Sequence, residues 1–282
     1  MLNRKQVVVV GLVVVLMAAL YSLDIKGLTT NPQKQQAKTN QHKAGDRSSR
    51  VTLESVSILG KQTLNEELTQ QITYLEEALI KTSGMERLQL QKQLAQRWDD
   101  VNIPAPSAFY WELIAKEENT YTNWLMAGDR FTSAYQYMQD TMVQPALIQR
   151  AILAYQKAEA LRPTSLDPKI GLGVAYVTGS SDPMKGILLL RDVVKEDPKN
   201  IKANMSLGLF SMRTGQYEKA IARFKVVTSQ TGQPEAWFYL ASSYENIGMK
   251  EQAIAAYIKT KELATDPNLD EFVDRKVKEL KK

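Results

Sequence analysis

The chain has 282 residues, 44% of them hydrophobic, 24% charged and 8% aromatic, with no cysteine and one histidine, His42. This is ordinary globular composition, enough for one or two domains. It excludes disulfides, cysteine-ligated zinc, iron–sulfur clusters, cysteine nucleophiles and a lipidated N-terminal cysteine. It also excludes zinc sites built on several histidines, and any Ser-His triad would have to use His42. The formal charge of +5 invites a nucleic-acid reading. Its distribution argues otherwise: residues 1–23 carry +2, residues 24–50 carry +4, and residues 51–282 sum to −1. The body therefore has no positive field with which to neutralise phosphates, and no nucleic-acid partner is expected.

Val7 to Leu23 reads VVVVGLVVVLMAALYSL, 17 uncharged residues preceded by Arg4 and Lys5. As a helix it would span about 25 Å, close to the lower limit for crossing a bilayer. Residues 1–28 are therefore expected to be a signal anchor, with residues 7–23 as a single transmembrane helix. Flanking charge does not set the orientation, because Lys26, Lys34, Lys38 and Lys43 lie beyond the segment. The short N-terminal stub is the end most easily left in the cytoplasm, which puts the body outside, in the periplasm of a bacterium. A cleaved signal peptide is the alternative; Ala18 and Ala19 are small, but no A-x-A motif precedes a cut. A buried core helix is the poorest reading for such a run ahead of a polar tail.

Thr29 to Arg50 has Ala37 and Ala44 as its only aliphatic residues. It cannot bury enough apolar surface to offset its ordering entropy, so residues 29–50 are read as a disordered basic linker of about 25 Å reach. His42 lies there among Gln, Lys and Gly and is read as a solvated linker residue.

From Val51 the period is helical. Leu64, Leu68, Ile72, Leu75 and Leu79 form one apolar stripe, Ser83-Gly84 breaks it, and Leu88, Gln91, Leu94, Ala95 and Trp98 resume it. The spacing predicts a helical hairpin. Asn102-Ile-Pro104-Ala-Pro106 is a second break, after which Ser107 is expected to cap a short helix from Ala108 to Lys116. No strand-like alternation competes, so the fold class is all-α, with residues 51–118 as a helical N-terminal region.

The rest of the chain, residues 119–282, repeats. Ala151, Gly186, Ala220 and Ala253 are spaced 35, 34 and 33 residues apart. Four positions later come Tyr155, Leu190, Phe224 and Tyr257, and three further on Ala158, Val193, Val227 and Thr260. Ahead of each small residue stands a second pattern: Trp124-x-x-Ala127-Gly128-x-x-Phe131, Leu172-Gly173-x-x-Tyr176, Leu207-Gly208, and Trp237-x-x-Leu240-Ala241-x-x-Tyr244. Gly215 and Gly248 hold matching turn positions, and Pro163, Pro198, Pro234 and Pro267 punctuate the ends.

This pattern resembles the tetratricopeptide repeat. Residues 201–267 match well, 166–198 moderately, and 121–163 with an insertion near Tyr135–Pro145. The resemblance implies an α-solenoid of about four helix pairs, each unable to bury its apolar face alone, stacked around a concave groove. Asp182-Pro183, Asp197-Pro198 and Asp266-Pro267 read as N-caps followed by proline at the first helical position. Asn268 to Lys282 reads as a capping helix.

In this family the first helix of each pair lines the groove. The matching positions are Ile170, Val174 and Val177 in the second repeat, Lys202, Met205, Leu209 and Met212 in the third, and Glu235, Phe238, Ser242 and Glu245 in the fourth. Val174, Lys202, Met205, Leu209, Met212, Phe238, Ser242 and Glu245 are the candidate partner-binding residues. Taken singly, each also fits packing against a neighbouring helix or cover by region 51–118. Most are apolar, with two methionines, which suits a peptide segment or partner helix. Family members that clamp the C-terminal carboxylate of heat-shock chaperones use Lys, Asn and Arg at set groove positions; here Lys202 matches alone, which argues against that activity.

Catalytic motifs are missing. Gly171-Leu-Gly173-Val-Ala175 falls inside a repeat helix with no preceding strand, and there is no G-x4-G-K-[ST], H-E-x-x-H or G-x-S-x-G. Asp99-Asp100 and Glu117-Glu118 are the residual paired carboxylates and read as solvated acids. No catalytic residue, metal or small-molecule cofactor is expected. The chain looks like the membrane-anchored tetratricopeptide proteins that assist envelope assembly, such as helpers of cytochrome c maturation or ancillary translocon subunits. The alternatives are a soluble exported chaperone-like protein after signal cleavage, and an enzyme working through carboxylates alone.

Overall fold

The computed structural model describes residues 51–138 and 140–282, all within one compact unit, Ser48–Lys282. The expected anchor, the linker and His42 lie outside the described residues. Among the described residues there are thirteen helices, no strand, and no helix long and apolar enough to cross a membrane.

Four helices precede the repeats: α1 (Leu53–Lys61), α2 (Glu66–Lys81), α3 (Gly84–Asp100) and α4 (Pro104–Glu118). The apolar stripe read from the sequence is the buried face of α2 and α3, where Ile72, Leu94 and Trp98 meet Tyr110 and Ile114 of α4. Glu76 of α2 ties three helices together by accepting from Ser57 and Lys61 of α1 and from Tyr110 of α4. One expectation is corrected here. Ser107 is not a cap: α4 starts three residues earlier, and Ser107 is fully buried within its first turn with no hydrogen-bond partner for its hydroxyl. Pro104 and Pro106 do not stop the helix because the first-turn amides have no intrahelical acceptor to lose.

The repeats are four helix pairs: α5 (Tyr121–Tyr137) with α6 (Gln144–Leu161), α7 (Leu166–Gly179) with α8 (Pro183–Glu196), α9 (Ile201–Arg213) with α10 (Tyr217–Thr228), and α11 (Pro234–Asn246) with α12 (Lys250–Leu263). A last helix, α13 (Pro267–Leu280), packs on α12. The pair α3/α4 extends the stack at the other end through α4 against α5. Gly215 and Gly248 turn the chain inside the third and fourth pairs at φ 71° and 75°, where any other residue would be strained.

Caps fix most starts. Asp182 accepts from the Lys185 amide with Pro183 following, and Asp266 accepts from the Asn268 amide with Pro267 following. Asp197-Pro198 departs from that expectation. Asp197 ends α8, and the cap of α9 is Asn200, whose side chain accepts from the Ala203 amide at 3.0 Å. Asp197 instead takes the Lys199 amide, so the dipeptide forms the turn between helices.

The recurring positions are the core. Tyr155, Leu190, Phe224 and Tyr257 are all 2% exposed or less, and burial of each such side chain is worth about 1.5–3 kcal/mol. The small residues set how closely helices cross: a Cβ on Gly186 would sit 2.4 Å from the Gly173 carbonyl oxygen, and one on Gly208 would sit 2.6 Å from the Phe224 ring. The first helices of successive pairs, α5, α7, α9 and α11, adjoin one another along one side of the stack.

Candidate functional site

On that side the recurring residues bring side chains from successive helices to common hollows. The first, about 400 Å³, is lined by Leu125, Asp129, Thr132 and Ser133 of α5, Tyr155 of α6, Asp167, Ile170, Gly171 and Val174 of α7, and Lys202, Met205 and Ser206 of α9. No residue of 51–118 lines it. The second, about 520 Å³, is lined by Phe238, Ser242, Glu245 and Asn246 of α11, Tyr257 of α12, and Phe272 and Lys276 of α13.

The eight candidate residues divide between the two hollows. Val174, Lys202 and Met205 share the first; Phe238, Ser242 and Glu245 share the second. Leu209 and Met212 line neither; they are half-buried against the C-terminal core cluster. Phe238 stands among aromatic rings, with Tyr257 and Phe272 centroids at 5.9 and 5.8 Å.

Each hollow holds a tyrosine paired with an acid. The Tyr155 ring lies across α5 and α7 so closely that a Cβ on Gly128 would come within 2.6 Å of it and one on Gly171 within 2.3 Å. This places the phenol oxygen 2.9 Å from Asp129 Oδ1, to which it donates, and 3.2 Å from the Thr132 hydroxyl. Desolvation of the buried phenol, reinforced by the Asp129 charge, pushes Tyr155 well above its ordinary value. Asp129 is open to the hollow by area, but the concave wall around it displaces water. That loss of hydration pushes its carboxyl upward, against the Tyr155 hydrogen bond and the charges of Lys202 and Arg130. Lys202 itself reaches Asp167 at 3.4 Å, an exposed pair of little stabilising value.

In the second hollow Tyr257 donates to Glu245 Oε2 at 2.6 Å, and Lys276 reaches Glu245 Oε1 at 2.9 Å. Burial raises the Glu245 carboxyl, but the hydrogen bonds from Tyr257 and Lys276 outweigh it and hold the group below its ordinary value.

Asp129, Leu125 and Thr132 escaped the sequence reading, although the signal was present. The offsets that give Ile170, Val174 and Val177 from Gly173 give Leu125, Asp129 and Thr132 from Gly128. Three of the four acids considered for catalysis have protein partners: Asp99 pairs with Arg130 at 2.7 Å, Asp100 accepts from Gln96, and Glu118 takes Lys92 and Asn123, while Glu117 is exposed. Among the described residues no group of three or more His, Cys, Asp or Glu side chains is placed to hold a metal ion.

Helix pairs at a 33–35-residue period, with a small residue at each crossing and a large one filling the gap, form an all-α repeat stack of the kind that tetratricopeptide repeats build. No family model matches the chain. It is similar to the peroxisomal targeting signal receptor of Saccharomyces cerevisiae, 24% identical over 225 residues, covering 73% of this chain and 36% of the receptor. The chain thus spans about a third of the length of that curated relative. Among solved structures, MamA (residues 41 to the end) from Desulfovibrio magneticus RS-1 aligns at 19% identity and a TM-score of 0.45, covering 64% of this chain and 97% of that one. YrrB, described as a TPR protein with an unusual peptide-binding site, aligns at 17% identity and a TM-score of 0.42, covering 71% and 97%.

Proposed function

We propose that the chain is a membrane-anchored scaffold whose repeats hold a segment of another protein, and that it assists assembly of a complex at a bacterial envelope. Residues 7–23 are the anchor, residues 29–50 the tether, and the repeat domain faces the periplasm. The tether raises the effective concentration of the groove near the membrane. The role is recognition rather than catalysis.

The observation that carries this reading is the first hollow. Val174 of α7 and Met205 of α9 come to one concavity with Leu125 of α5, so three repeats present apolar surface to a single occupant. Such a surface suits the alternate side chains of an extended peptide or the face of a short helix. The yeast relative is named as a receptor for a targeting signal, and a receptor for a polypeptide segment is the role assigned here.

Crosslinked capture from native membranes tests it. Met205→Ser combined with Val174→Ser, both on the wall of the first hollow, is expected to reduce capture about ten-fold or more while leaving helicity by circular dichroism intact. Unfolding of the double variant would make these positions core and remove the groove assignment. The mass of the purified mature chain tests the anchor: retention of residues 1–23 is expected, and their loss would convert the protein into an exported soluble one.

A further inference from the structure

The two hollows contain the same device with one part exchanged. Tyr155 and Tyr257 occupy the same position of the repeat, four residues after Ala151 and Ala253. Each phenol faces an acid and a hydroxyl on the first helix of its own pair. At the N-terminal end these are Asp129 and Thr132; at the C-terminal end the order is reversed, Ser242 and Glu245. At the C-terminal end the next helix in the stack, α13, supplies a cation: Lys276 Nζ lies 2.9 Å from Glu245. The helix that follows α5 in the stack is α7, and its residue in the register of Lys276 is Val174. Asp129 is left with the Tyr155 hydroxyl as its side chain's one hydrogen bond and with no ion pair among the described residues. Lys202, from one helix further along, is turned to Asp167.

The first hollow therefore holds two carboxylates and one ammonium beside the apolar surface of Ile170, Val174 and Met205. A carboxylate on the wall of a hollow that makes no direct ion pair, its nearest ammonium being turned to another acid, leaves one half of a charge pair open to a partner. We infer that the groove selects a partner segment carrying an arginine or lysine side chain, which enters beside Asp129 as Lys276 enters beside Glu245, while a neighbouring apolar side chain of the same segment rests on Ile170 and Met205. This rests on the groove reading above and gives it a partner chemistry: a basic residue flanked by apolar ones.

The test uses the full-length chain and an immobilised array of terminally blocked octapeptides. A central Arg, Lys, Gln or Glu is flanked by Leu, Met, Phe or Val in all combinations. Binding to Arg- and Lys-centred peptides is expected to exceed binding to the Gln-centred counterparts by about three- to ten-fold at low salt, and the excess is expected to shrink at high salt. Asp129→Asn keeps an acceptor for the Tyr155 hydroxyl and is expected to erase the excess of Arg- and Lys-centred over Gln-centred binding. Glu218→Gln, an exposed acid on α10, is expected to leave the excess intact. Equal retention of Arg- and Gln-centred peptides, or equal loss of the excess in Asp129→Asn and Glu218→Gln, overturns the inference. If Gln-centred peptides still bind and are released by Met205→Ser with Val174→Ser, the groove survives and the cation preference alone falls. If no peptide of the array is retained, both fall. Displacement of the peptides by free arginine at equal concentration would make the hollow a small-cation site and also overturn the inference.

Discussion

The two ends of the repeat domain solve the same electrostatic problem differently. At the C-terminal end Glu245 is closed by its own chain, between the Tyr257 hydroxyl and the Lys276 ammonium, and its carboxyl is held below the ordinary value. At the N-terminal end Asp129 has the tyrosine without the lysine, and lost hydration pushes its carboxyl above the ordinary value. The same fold element is thus a stabilising clasp in one place and an uncompensated charge in the other. An unsatisfied charge costs stability in the empty protein, and its use is recognised by what relieves the cost.

The comparison depends on Tyr155 being seated between α5 and α7, and the largest effect comes from unseating it. Gly171→Leu would drive a side chain into the Tyr155 ring, where even a Cβ comes within 2.3 Å. Helix propensity favours the change by about 0.8 kcal/mol, yet overpacking is expected to dominate and lower stability by about 3 kcal/mol. Thermal unfolding followed by circular dichroism reads this directly, and an unchanged midpoint would mean that the ring does not fill that gap. Gly208→Trp, aimed at the Phe224 ring, is the matching change in the third repeat and should behave in the same way.

The clasp at the other end predicts a pH effect of defined sign. Because the folded-state carboxyl of Glu245 lies below the value of an unfolded glutamate, its stabilisation is complete above the ordinary carboxylate value and fades as pH falls through the folded value. Glu245→Gln is expected to cost about 1–2 kcal/mol at neutral pH and to flatten the loss of stability in acid. Asp129→Asn should do the reverse. Its raised carboxyl makes the charged form the less favoured one in the folded chain, so neutralising it should leave the neutral-pH midpoint unchanged or slightly higher. If both variants lose stability equally, the contrast between the two ends disappears.

The contrast was half legible in the sequence. The aromatic positions follow from counting, because a buried residue on one face of a regular helix must recur with the repeat. Tyr155 and Tyr257 were found in that way. Asp129 does not stand out in the same way, because the insertion near Tyr135–Pro145 lengthens the first repeat and obscures its register. Nor does Lys276, because a terminal helix rich in charge reads as a cap; in the structure it is also the next first helix of the stack, 34 residues after Ser242. Pairs such as Asp99 with Arg130 or Arg150 with Glu112 join different helices 31 and 38 residues apart, and no local rule announces them. Ser107 is not a cap for a local reason: Pro104 reads as a breaker in sequence, but at the first turn of a helix proline is tolerated.

The smallest change in stability is also the sharpest comparison, since it rebuilds one end in the image of the other. Val174 lies half-buried in the register of Lys276, one helix on from Asp129. Val174→Lys should let α7 supply to Asp129 the cation that α13 supplies to Glu245. The pair would form at the rim of a hollow, where such contacts are worth about 0.5 kcal/mol, offset in part by the lost apolar contact of the valine. The melting point should therefore move little. The binding readout should move more: with Asp129 internally paired, the excess of Arg-centred over Gln-centred peptides should vanish, as in Asp129→Asn, although the acid is still present. The opposite exchange, Lys276→Met, should leave Glu245 without its ammonium and give the second hollow a cation preference of its own. If Val174→Lys left the Arg preference intact, the missing lysine would not be what distinguishes the two ends, and the selectivity would have to come from Asp167 or from outside the hollow.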